Sequence, residues 1–354
     1  MTFTGCGLER IDVFKRLLYV FLLFLPASCS IIDEDREGCD IDFSIHYEVT
    51  LKTNLSTQVQ TVLRSRFETE VADLLEDSLK NIFREYANDV DLSFYVGQDI
   101  AQHIDTVLGG NQRVYEMELE ANNYRHLALA NIQEENEVKI QNIAHVNSSQ
   151  LSQQLGDTIV GHNTGLFSAR KDMNVTGTQD QNFDVTLYMV NSASILVVRT
   201  DKVAYNDIKV YSTDFADGFL VNDSVFTFNS NPIVRDYRVT SPPVEREVFY
   251  TVTFPSDSTA LAAHSHTRAV VGSDDDQTGA DEEERIWRKY IYVTLPNGSI
   301  TRTVINVREP LRAGEVMIIY AFMREDGSIF SPNVEVTTSV KLDWKPGQVI
   351  NPSV

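Results

Sequence analysis

The stretch IDFSIHYEVTL, from Ile41 to Leu51, carries the clearest secondary-structure pattern in this chain. Apolar and polar residues alternate strictly along it, and a period of two is typical of a β-strand with one buried and one solvated face. His46 falls on the polar face, so we expect a solvated side chain there rather than a metal ligand. The apolar face consists of Ile41, Phe43, Ile45, Tyr47, Val49 and Leu51.

The same alternation recurs along the chain and predicts a mainly β protein. Two pairs, Asn297-Gly298 and Asp326-Gly327, lie between alternating segments and predict tight hairpins. The other segments that we predict as strands are Val90 to Phe94, Tyr115 to Leu119, Tyr124 to Ala130, Phe183 to Met189, Ile195 to Val198, Ile208 to Tyr211, Val225 to Phe228, Val248 to Phe254, Tyr290 to Thr294, Ile300 to Ile305, Val316 to Phe322 and Val334 to Val340.

Two segments depart from the strand pattern. From Glu68 to Tyr86, apolar residues recur every three or four positions, which predicts an amphipathic helix whose apolar stripe packs on a sheet. From Gln133 to Gly161 the chain is polar and shows neither period. We expect a long loop there, with one short helical turn.

Residues 255–285 are the most acidic part of the chain. Runs of aspartate and glutamate with hardly a large apolar residue cannot bury enough surface to offset the entropy of ordering, so we predict a mobile acidic loop. Asp274, Asp276 and Gly279 match three positions of a calcium-binding loop. Arg285 stands where that loop needs a bidentate acid, so we expect no metal site.

Ahead of the first strand, the sequence predicts a lipoprotein signal. An apolar run from Leu17 to Leu25 follows basic residues. The run suits the core of a signal peptide, which takes about 7–15 residues, and is too short to span a bilayer, which takes about 20. The small residues Ala27 and Ser28 precede Cys29. We therefore predict cleavage between Ser28 and Cys29, and lipid on the Cys29 thiol.

Lipid on Cys29 would attach the chain to a membrane, stably if two or more acyl chains are added. Pro26 stands where such signals usually have leucine, so an ordinary signal peptide with a chance cysteine is the alternative. The acidic residues that follow predict a solvated tether over residues 29–40. Cys39 then has no cysteine partner left in the mature chain, and we expect a free thiol or an intermolecular one.

The negative net charge of the chain makes two classes of partner unfavourable. The 354 residues include 51 Asp and Glu against 30 Lys and Arg, a net charge of −21. Nucleic acids and anionic membrane surfaces would repel such a chain, so we expect neither as a partner. No motif places a nucleophile, a base or metal ligands at a known spacing. We therefore expect no enzyme activity, no cofactor and no small-molecule substrate.

Taken in chain order, several segments resemble the fimbrillin-A associated anchor protein family, the lipoproteins that hold the base of type V pili. They are the lipoprotein signal, EDREGCD at Glu34 to Asp40, DVDLSFY at Asp89 to Tyr95, YRHLALAN at Tyr124 to Asn131, GLF at Gly165 to Phe167, FDVTLYM at Phe183 to Met189 and LDW at Leu342 to Trp344.

The resemblance implies two transthyretin-like β-sandwich domains, the first carrying the amphipathic helix, held at the outer membrane by lipid. It also implies a fimbrial shaft subunit, a pilin, as the partner, bound by strand donation. Such an anchor can also limit fibre length. With the chain length, it predicts four parts: a signal peptide at 1–28, a tether at 29–40, an N-terminal domain at 41–175 and a C-terminal domain at 176–354.

Two late strands predict where the pilin docks. Val316 to Phe322, VMIIYAF, is a nearly continuous apolar run, which suits a strand buried on both faces. Val334 to Val340, VEVTTSV, alternates with threonine and serine and suits a sheet edge. We predict docking on this second strand, and entry of the donor strand into the first domain is the alternative. Its candidate contact residues are Val334, Val336, Thr338 and Val340.

Two other functions remain open from the sequence. The first is a minor shaft or tip subunit of the same pilus, although a shaft precursor would need a basic protease site and none lies between Arg36 and Lys52. The second is a surface glycan-binding lipoprotein. Such a protein typically presents exposed aromatic platforms, and the two tryptophans are Trp287 and Trp344.

Overall fold

Strands make up more than half of the residues that the computed structural model describes, which confirms the mainly β class. The structure describes residues 45–51, 60–61, 63–65, 69–83, 87, 89–107, 114–135, 137–201, 203–239, 245–256, 287–331 and 338–340. The predicted signal peptide, the tether and nearly all of the acidic loop lie outside these ranges. No described helix is long and apolar enough to cross a membrane.

The described elements with printed bounds are one α-helix and 22 strands, and residues 60–61 and 63–65 are also helical. The helix is α1, Thr69–Leu79. The strands are β1 Ile45–Leu51, β2 Asp89–Val96, β3 Asp99–Val107, β4 Val114–Met117, β5 Asn122–Ala130, β6 Val138–Gln141, β7 Gln150–Gln153, β8 Ile159–Val160, β9 Phe167–Val175, β10 Gln181–Met189, β11 Ser192–Arg199, β12 Asp207–Thr213, β13 Gly218–Leu220, β14 Val225–Thr227, β15 Val234–Arg235, β16 Tyr237–Arg238, β17 Arg246–Thr253, β18 Trp287–Thr294, β19 Ile300–Val307, β20 Val316–Met323, β21 Ile329–Phe330 and β22 Thr338–Val340.

These strands form four sheets. The seven-stranded sheet has the order β3-β2-β5-β9-β10-β1-β4, and the six-stranded sheet has the order β16-β17-β11-β20-β21, with β22 also paired to β20. The five-stranded sheet has the order β19-β18-β12-β15-β8, and the four-stranded sheet has the order β14-β13-β7-β6. Most pairs are antiparallel, but three are parallel: β1 with β10, β11 with β20 and β8 with β15.

Helix α1 forms because its apolar residues share one face. Ala72, Leu75 and Leu79 recur at helical spacing and are all buried in the core beside the seven-stranded sheet. Leu79 ends the regular helix, and its carbonyl accepts hydrogen bonds from the backbone N–H groups of Ile82 and Phe83. The amphipathic helix was predicted over Glu68 to Tyr86, and its described part confirms it.

The six-stranded sheet lies between two apolar cores. Ile195 and Val197 of β11 pack in the core that contains α1 and one face of the seven-stranded sheet. Leu196 and Val198, from the opposite face of β11, pack in the core shared with the five-stranded sheet. Burial on both faces explains why this strand is a continuous apolar run. A third core lies between the four-stranded sheet and the seven-stranded sheet.

Both predicted hairpins are confirmed. Gly298 follows β18 with φ of 82°, and Gly327 follows β20 with φ of 77°, backbone angles that glycine adopts without steric cost. The second hairpin differs in one respect, because its returning strand begins at Ile329 rather than at Val334.

The structure corrects the expectation of a loop over Gln133 to Gly161, which contains β6, β7 and β8. Strand β7 has the polar sequence QLSQ, and only Leu151 is apolar. Its backbone pairs with β6 on one side and with β13 on the other. Pairing with a distant strand, rather than a local apolar pattern, makes this segment a strand.

Strand β10 also lies elsewhere than the sequence suggested. It was expected to open the C-terminal domain at 176–354, but it pairs with β1 and β9 in the seven-stranded sheet. Sheet membership gives no single boundary, because β8 lies in the five-stranded sheet and the four-stranded sheet combines β6 and β7 with β13 and β14. The division into two domains stays a prediction.

Candidate subunit-docking edge

The predicted docking strand is described only at its end. Thr338 and Val340 lie in β22, whereas Val334 and Val336 lie outside the described residues. Ser28 and Cys29, the predicted cleavage and lipidation residues, also lie outside them. The candidate edge is therefore built from β20, β21 and β22.

Strand β20 is the strand with which both β21 and β22 pair at this edge. Val316 and Ile318 point into the core that contains α1, and Met317 and Ile319 point into the core on the other side of the sheet. Each of these four side chains is at most 3% exposed. The predicted burial of this strand on both faces is thereby confirmed, and both of its hydrogen-bonding edges must be covered by other strands.

Strand β11 covers one edge of β20 along its length, from Val316 to Phe322. The opposite edge is covered by two short strands. Strand β22 pairs antiparallel with the first part of β20, where Val340 lies opposite Val316. Strand β21 pairs with the last part, where Phe330 lies opposite Phe322. Within the described part of the chain, β22 pairs with no strand other than β20.

The β20–β21 hairpin is held by local bonds. Asp326 Oδ1 accepts hydrogen bonds from the backbone N–H of Ser328, at 2.9 Å, and from its hydroxyl, at 2.6 Å. These bonds stabilise the charged carboxylate and lower the pKa of Asp326. The Phe322 and Phe330 rings stack with centroids 5.5 Å apart. The Arg324 guanidinium lies 4.5 Å from the Phe330 ring, in cation–π contact.

One further bond fixes the chain just beyond β21. The Ser331 hydroxyl donates to the Tyr320 carbonyl at 2.7 Å. The segment that connects β21 to β22 is therefore bonded to β20 at both of its described ends, Ser331 and Thr338. A sheet edge anchored in this way can bind an extended segment through its backbone N–H and C=O groups.

The chemistry of this edge is backbone hydrogen bonding. Among the described residues of the chain, no group of three or more His, Cys, Asp or Glu side chains could hold a metal ion. Trp287, a residue considered for a glycan platform, is fully buried, and its indole N–H donates to the Glu309 carbonyl at 3.0 Å. It therefore supports the core and offers no surface platform. Trp344 lies outside the described residues.

Sequence reasoning missed a second feature in the neighbouring five-stranded sheet. Lys289 is fully buried, and its ammonium donates to Asp236 at 2.5 Å and to the Ser212 hydroxyl at 2.9 Å. Burial lowers the pKa of Lys289, and the Asp236 carboxylate opposes that shift. A signal was present, because alternation places Lys289 on the same face as Trp287 and Ile291.

The chain is similar to one known protein family and to several solved structures. The family model of fimbrillin-A associated anchor proteins Mfa1 and Mfa2 matches residues 79–347. No curated protein sequence matches the chain. Among solved structures, the fimbrial anchor protein Mfa2 from Porphyromonas gingivalis is similar, with a TM-score of 0.44, 10% identity, and coverage of 81% of this chain and 94% of that chain.

Two further solved structures are similar at the same low level of identity. The tip fimbrial protein Mfa3 from Porphyromonas gingivalis has a TM-score of 0.36 and 11% identity, over 82% of this chain and 99% of that chain. A candidate adhesin from Bacteroides ovatus has a TM-score of 0.49 and 9% identity, over 74% of this chain and 82% of that chain.

Proposed function

This chain belongs to the family of fimbrillin-A associated anchor proteins, and we propose that it anchors a fimbria to the outer membrane. Family membership makes it a fimbria-associated surface protein. The proposal concerns two parts of the chain, one at the membrane and one at the fibre. Lipid on Cys29 holds the chain to the membrane, and the edge at β22 receives the first shaft subunit.

The membrane end rests on the sequence. The apolar run from Leu17 to Leu25, the small residues after it and Cys29 form the signal, and the acidic tether at 29–40 separates the lipid from the folded body. Strand β1 begins at Ile45, so a short segment joins Cys29 to the first strand. Two or more acyl chains on one cysteine give stable attachment without a membrane-spanning helix.

The fibre end rests on one observation, the position of β22. This strand pairs with β20 on one side, and within the described residues it has no strand on its other side. A donated pilin strand would extend the sheet there by backbone hydrogen bonds. Capping the base in this way would also let the anchor limit fibre length, because a subunit that only receives a strand ends the chain of donation.

Two proline variants test this edge. In an antiparallel pair, the N–H groups of successive residues point to opposite edges of the strand. Thr338→Pro and Ser339→Pro therefore remove one donor that faces β20 and one that faces away from it. We expect the variant that loses the inner bond to lower the free energy of unfolding. The other variant should keep its stability and lose fibres from the cell surface.

The measurement is the number of fibres on cells and in the medium, at equal surface abundance of each variant. If both variants fold and both retain fibres as the unmodified protein does, docking occurs at another edge. Deletion of the gene distinguishes an anchor from a tip subunit. Loss of an anchor releases fibres into the medium, whereas loss of a tip subunit leaves shafts attached to the cells.

The lipid end has its own test. In Cys29→Ala the residue that carries lipid is missing, so we expect uncleaved precursor and no mature protein in the membrane fraction. Ser28→Ala is the matched control, because alanine is also a small residue before the cleavage point. Mature Cys29→Ala protein in the membrane pellet would contradict lipid attachment at this residue.

A further inference from the structure

The outer face of the five-stranded sheet differs from the rest of the surface in its side chains. Along β18, buried residues alternate with partly exposed ones, so that Ile291 and Val293 face the core while Tyr290 and Tyr292 face outward. Tyr211 of β12 lies directly opposite Tyr290 in the sheet register. Three tyrosine rings thus stand next to one another on two paired strands.

These rings line a groove of about 640 Å³, within the range of roughly 300–1,000 Å³ that is typical of ligand sites. We call it the tyrosine groove. The Tyr211 and Tyr292 rings contact edge to face, with centroids 5.8 Å apart. None of the three hydroxyl groups makes a hydrogen bond to a described residue. The residues that line the groove include Lys209, Tyr211, Tyr290, Tyr292, Ile300 and Arg302.

The groove is also apolar at one end and basic across its middle. Ile300 is 65% exposed and supplies apolar surface to the groove. Lys209 and Arg302 lie opposite Tyr292 on either side of it, on β12 and β19. The Arg302 guanidinium lies 5.0 Å from the centroid of the Tyr290 ring.

The charge of the groove contrasts with that of the whole chain. The described lining residues include two cations and no Asp or Glu, in a chain of net charge −21. Neither Lys209 nor Arg302 has a carboxylate within ion-pair distance among the described residues. An acidic ligand would be repelled by most of this protein and attracted here.

We propose that the tyrosine groove binds a negatively charged polysaccharide, one that carries uronate or sulfate groups. Tyrosine rings present flat, electron-rich faces that attract the partly positive C–H faces of sugar rings. Their hydroxyl groups supply hydrogen bonds to sugar hydroxyls. Lys209 and Arg302 supply charge-assisted hydrogen bonds to the anionic groups. This activity is independent of fibre anchoring and is located on a different sheet.

The position of the groove favours a saccharide over an acidic peptide. The tyrosines lie on β12 and β18, and β18 is paired on both sides, with β12 and with β19. Its backbone groups are therefore already used in the sheet, so an extended peptide could not add itself as a strand at this face. A ligand at this face must therefore be bound by side chains. Aromatic rings combined with cationic side chains suit a charged sugar.

Isothermal titration of the full chain tests the proposal. Four polymers are used as probes: polygalacturonate for uronate, chondroitin sulfate for sulfate, dextran as a neutral glycan and polyglutamate as an acidic peptide. We expect binding to one or both of the charged glycans, and weaker binding at higher ionic strength. Tyr292→Ala and Arg302→Glu should each weaken that binding about tenfold or more, a change of roughly 1.4 kcal/mol.

Matched variants outside the groove control for loss of an aromatic ring or a charge. Phe330→Ala and Arg324→Glu lie on the β20–β21 hairpin and should leave glycan affinity unchanged. Arg302→Gln keeps a polar side chain and provides a second groove variant, and thermal unfolding verifies that each variant is folded. The proposal is overturned if neither charged glycan binds, if dextran or polyglutamate binds as tightly, or if the hairpin variants weaken binding as much as the groove variants.

Discussion

Two buried polar clusters in this molecule differ in charge. In the seven-stranded sheet, His126 is buried between Tyr47 and Phe94. Its Nδ1–H donates to the Ser93 carbonyl at 3.0 Å, which leaves Nε2 as the acceptor for the Tyr47 hydroxyl. Burial lowers the pKa of His126 to about 3 and raises that of Tyr47, so both groups are neutral.

The cluster in the five-stranded sheet is ionic. Lys289 and Asp236 form a buried ion pair, and the Ser212 hydroxyl accepts a bond from Lys289 and donates one to Asp236 at 2.7 Å. A neutral cluster needs only its hydrogen bonds to be complete. In an ion pair, the attraction between the two charges must also offset the loss of their hydration. When each charge has a single partner, this requires a short distance between them. Losing one member should therefore cost far more in the ionic cluster.

The largest expected effect is in Lys289→Met. This change leaves the Asp236 carboxylate buried without a cation, and we expect the free energy of unfolding to fall by about 3–5 kcal/mol. Urea unfolding measures it. The double variant Lys289→Met with Asp236→Leu removes both charges and should recover most of the loss. If the single variant is as stable as the double variant, the pair does not carry charge in the folded protein.

Tyr47→Phe probes the neutral cluster. It removes one hydroxyl and leaves His126 Nε2 as a buried acceptor with no donor, so we expect a loss of about 1–3 kcal/mol in the same urea measurement. Tyr211→Phe, in the tyrosine groove, is the control, because its hydroxyl bonds to no described residue and its removal should change stability little. A loss as large as that of Lys289→Met would show that the two clusters do not differ as described.

Acidification should also lower stability, through two buried histidines. His126 and His162 are both buried with a pKa of about 3, whereas an unfolded histidine has a pKa of about 6.5. Between these values the unfolded chain binds protons that the folded chain does not. Stability is therefore fully present above pH 6.5 and falls as the pH is lowered, by about 1.4 kcal/mol per pH unit for each histidine.

Burial acts in the opposite direction at Asp91, whose pKa it raises to about 6. The folded chain binds the extra proton there, so Asp91 offsets part of the loss as the pH falls from about 6 to about 4. In His126→Gln, the decrease of unfolding free energy with acid should be less steep by about 1.4 kcal/mol per pH unit. An unchanged slope would mean that His126 is protonated in the folded state.

The smallest effect is expected at an exposed pair. Arg125 Nη1 lies 2.7 Å from Asp172, whose side chain is 81% exposed. Solvent screens this pair, so Asp172→Asn should change stability by less than about 1 kcal/mol. The same urea measurement at low and high salt tests this. A loss of several kcal/mol would show that burial is not what separates strong from weak charge pairs in this protein.

The sequence correctly predicted those parts of the fold that depend on a few neighbouring residues. The hairpins at Gly298 and Gly327 follow from residues that tolerate positive φ, and the burial of β20 follows from its apolar run. Helix α1 follows from its apolar spacing. Each of these features depends on a few neighbouring residues, so a single sequence suffices to find it.

Features that depend on distant residues could not be predicted. The polar strand β7 is a strand because β13 pairs with it, and no short-range pattern marks that partner. The charge on Lys289 is tolerated in the core because Asp236 lies beside it, although Asp236 is on another segment. Tyr290 and Tyr292 were visible in the sequence as alternate residues of a strand. Their grouping with Tyr211 required the register of the sheet.

The place of β1 also has a consequence for how quickly the chain folds. This first strand lies inside the seven-stranded sheet, between β4 and β10, and its parallel partner is β10, where Gln181 lies opposite Ile45. The backbone edge of β1 that faces β10 therefore cannot be paired until more than half of the chain has been made. Pairings between such distant segments fold slowly. Until that pairing forms, the unpaired edge of β1 is prone to aggregation.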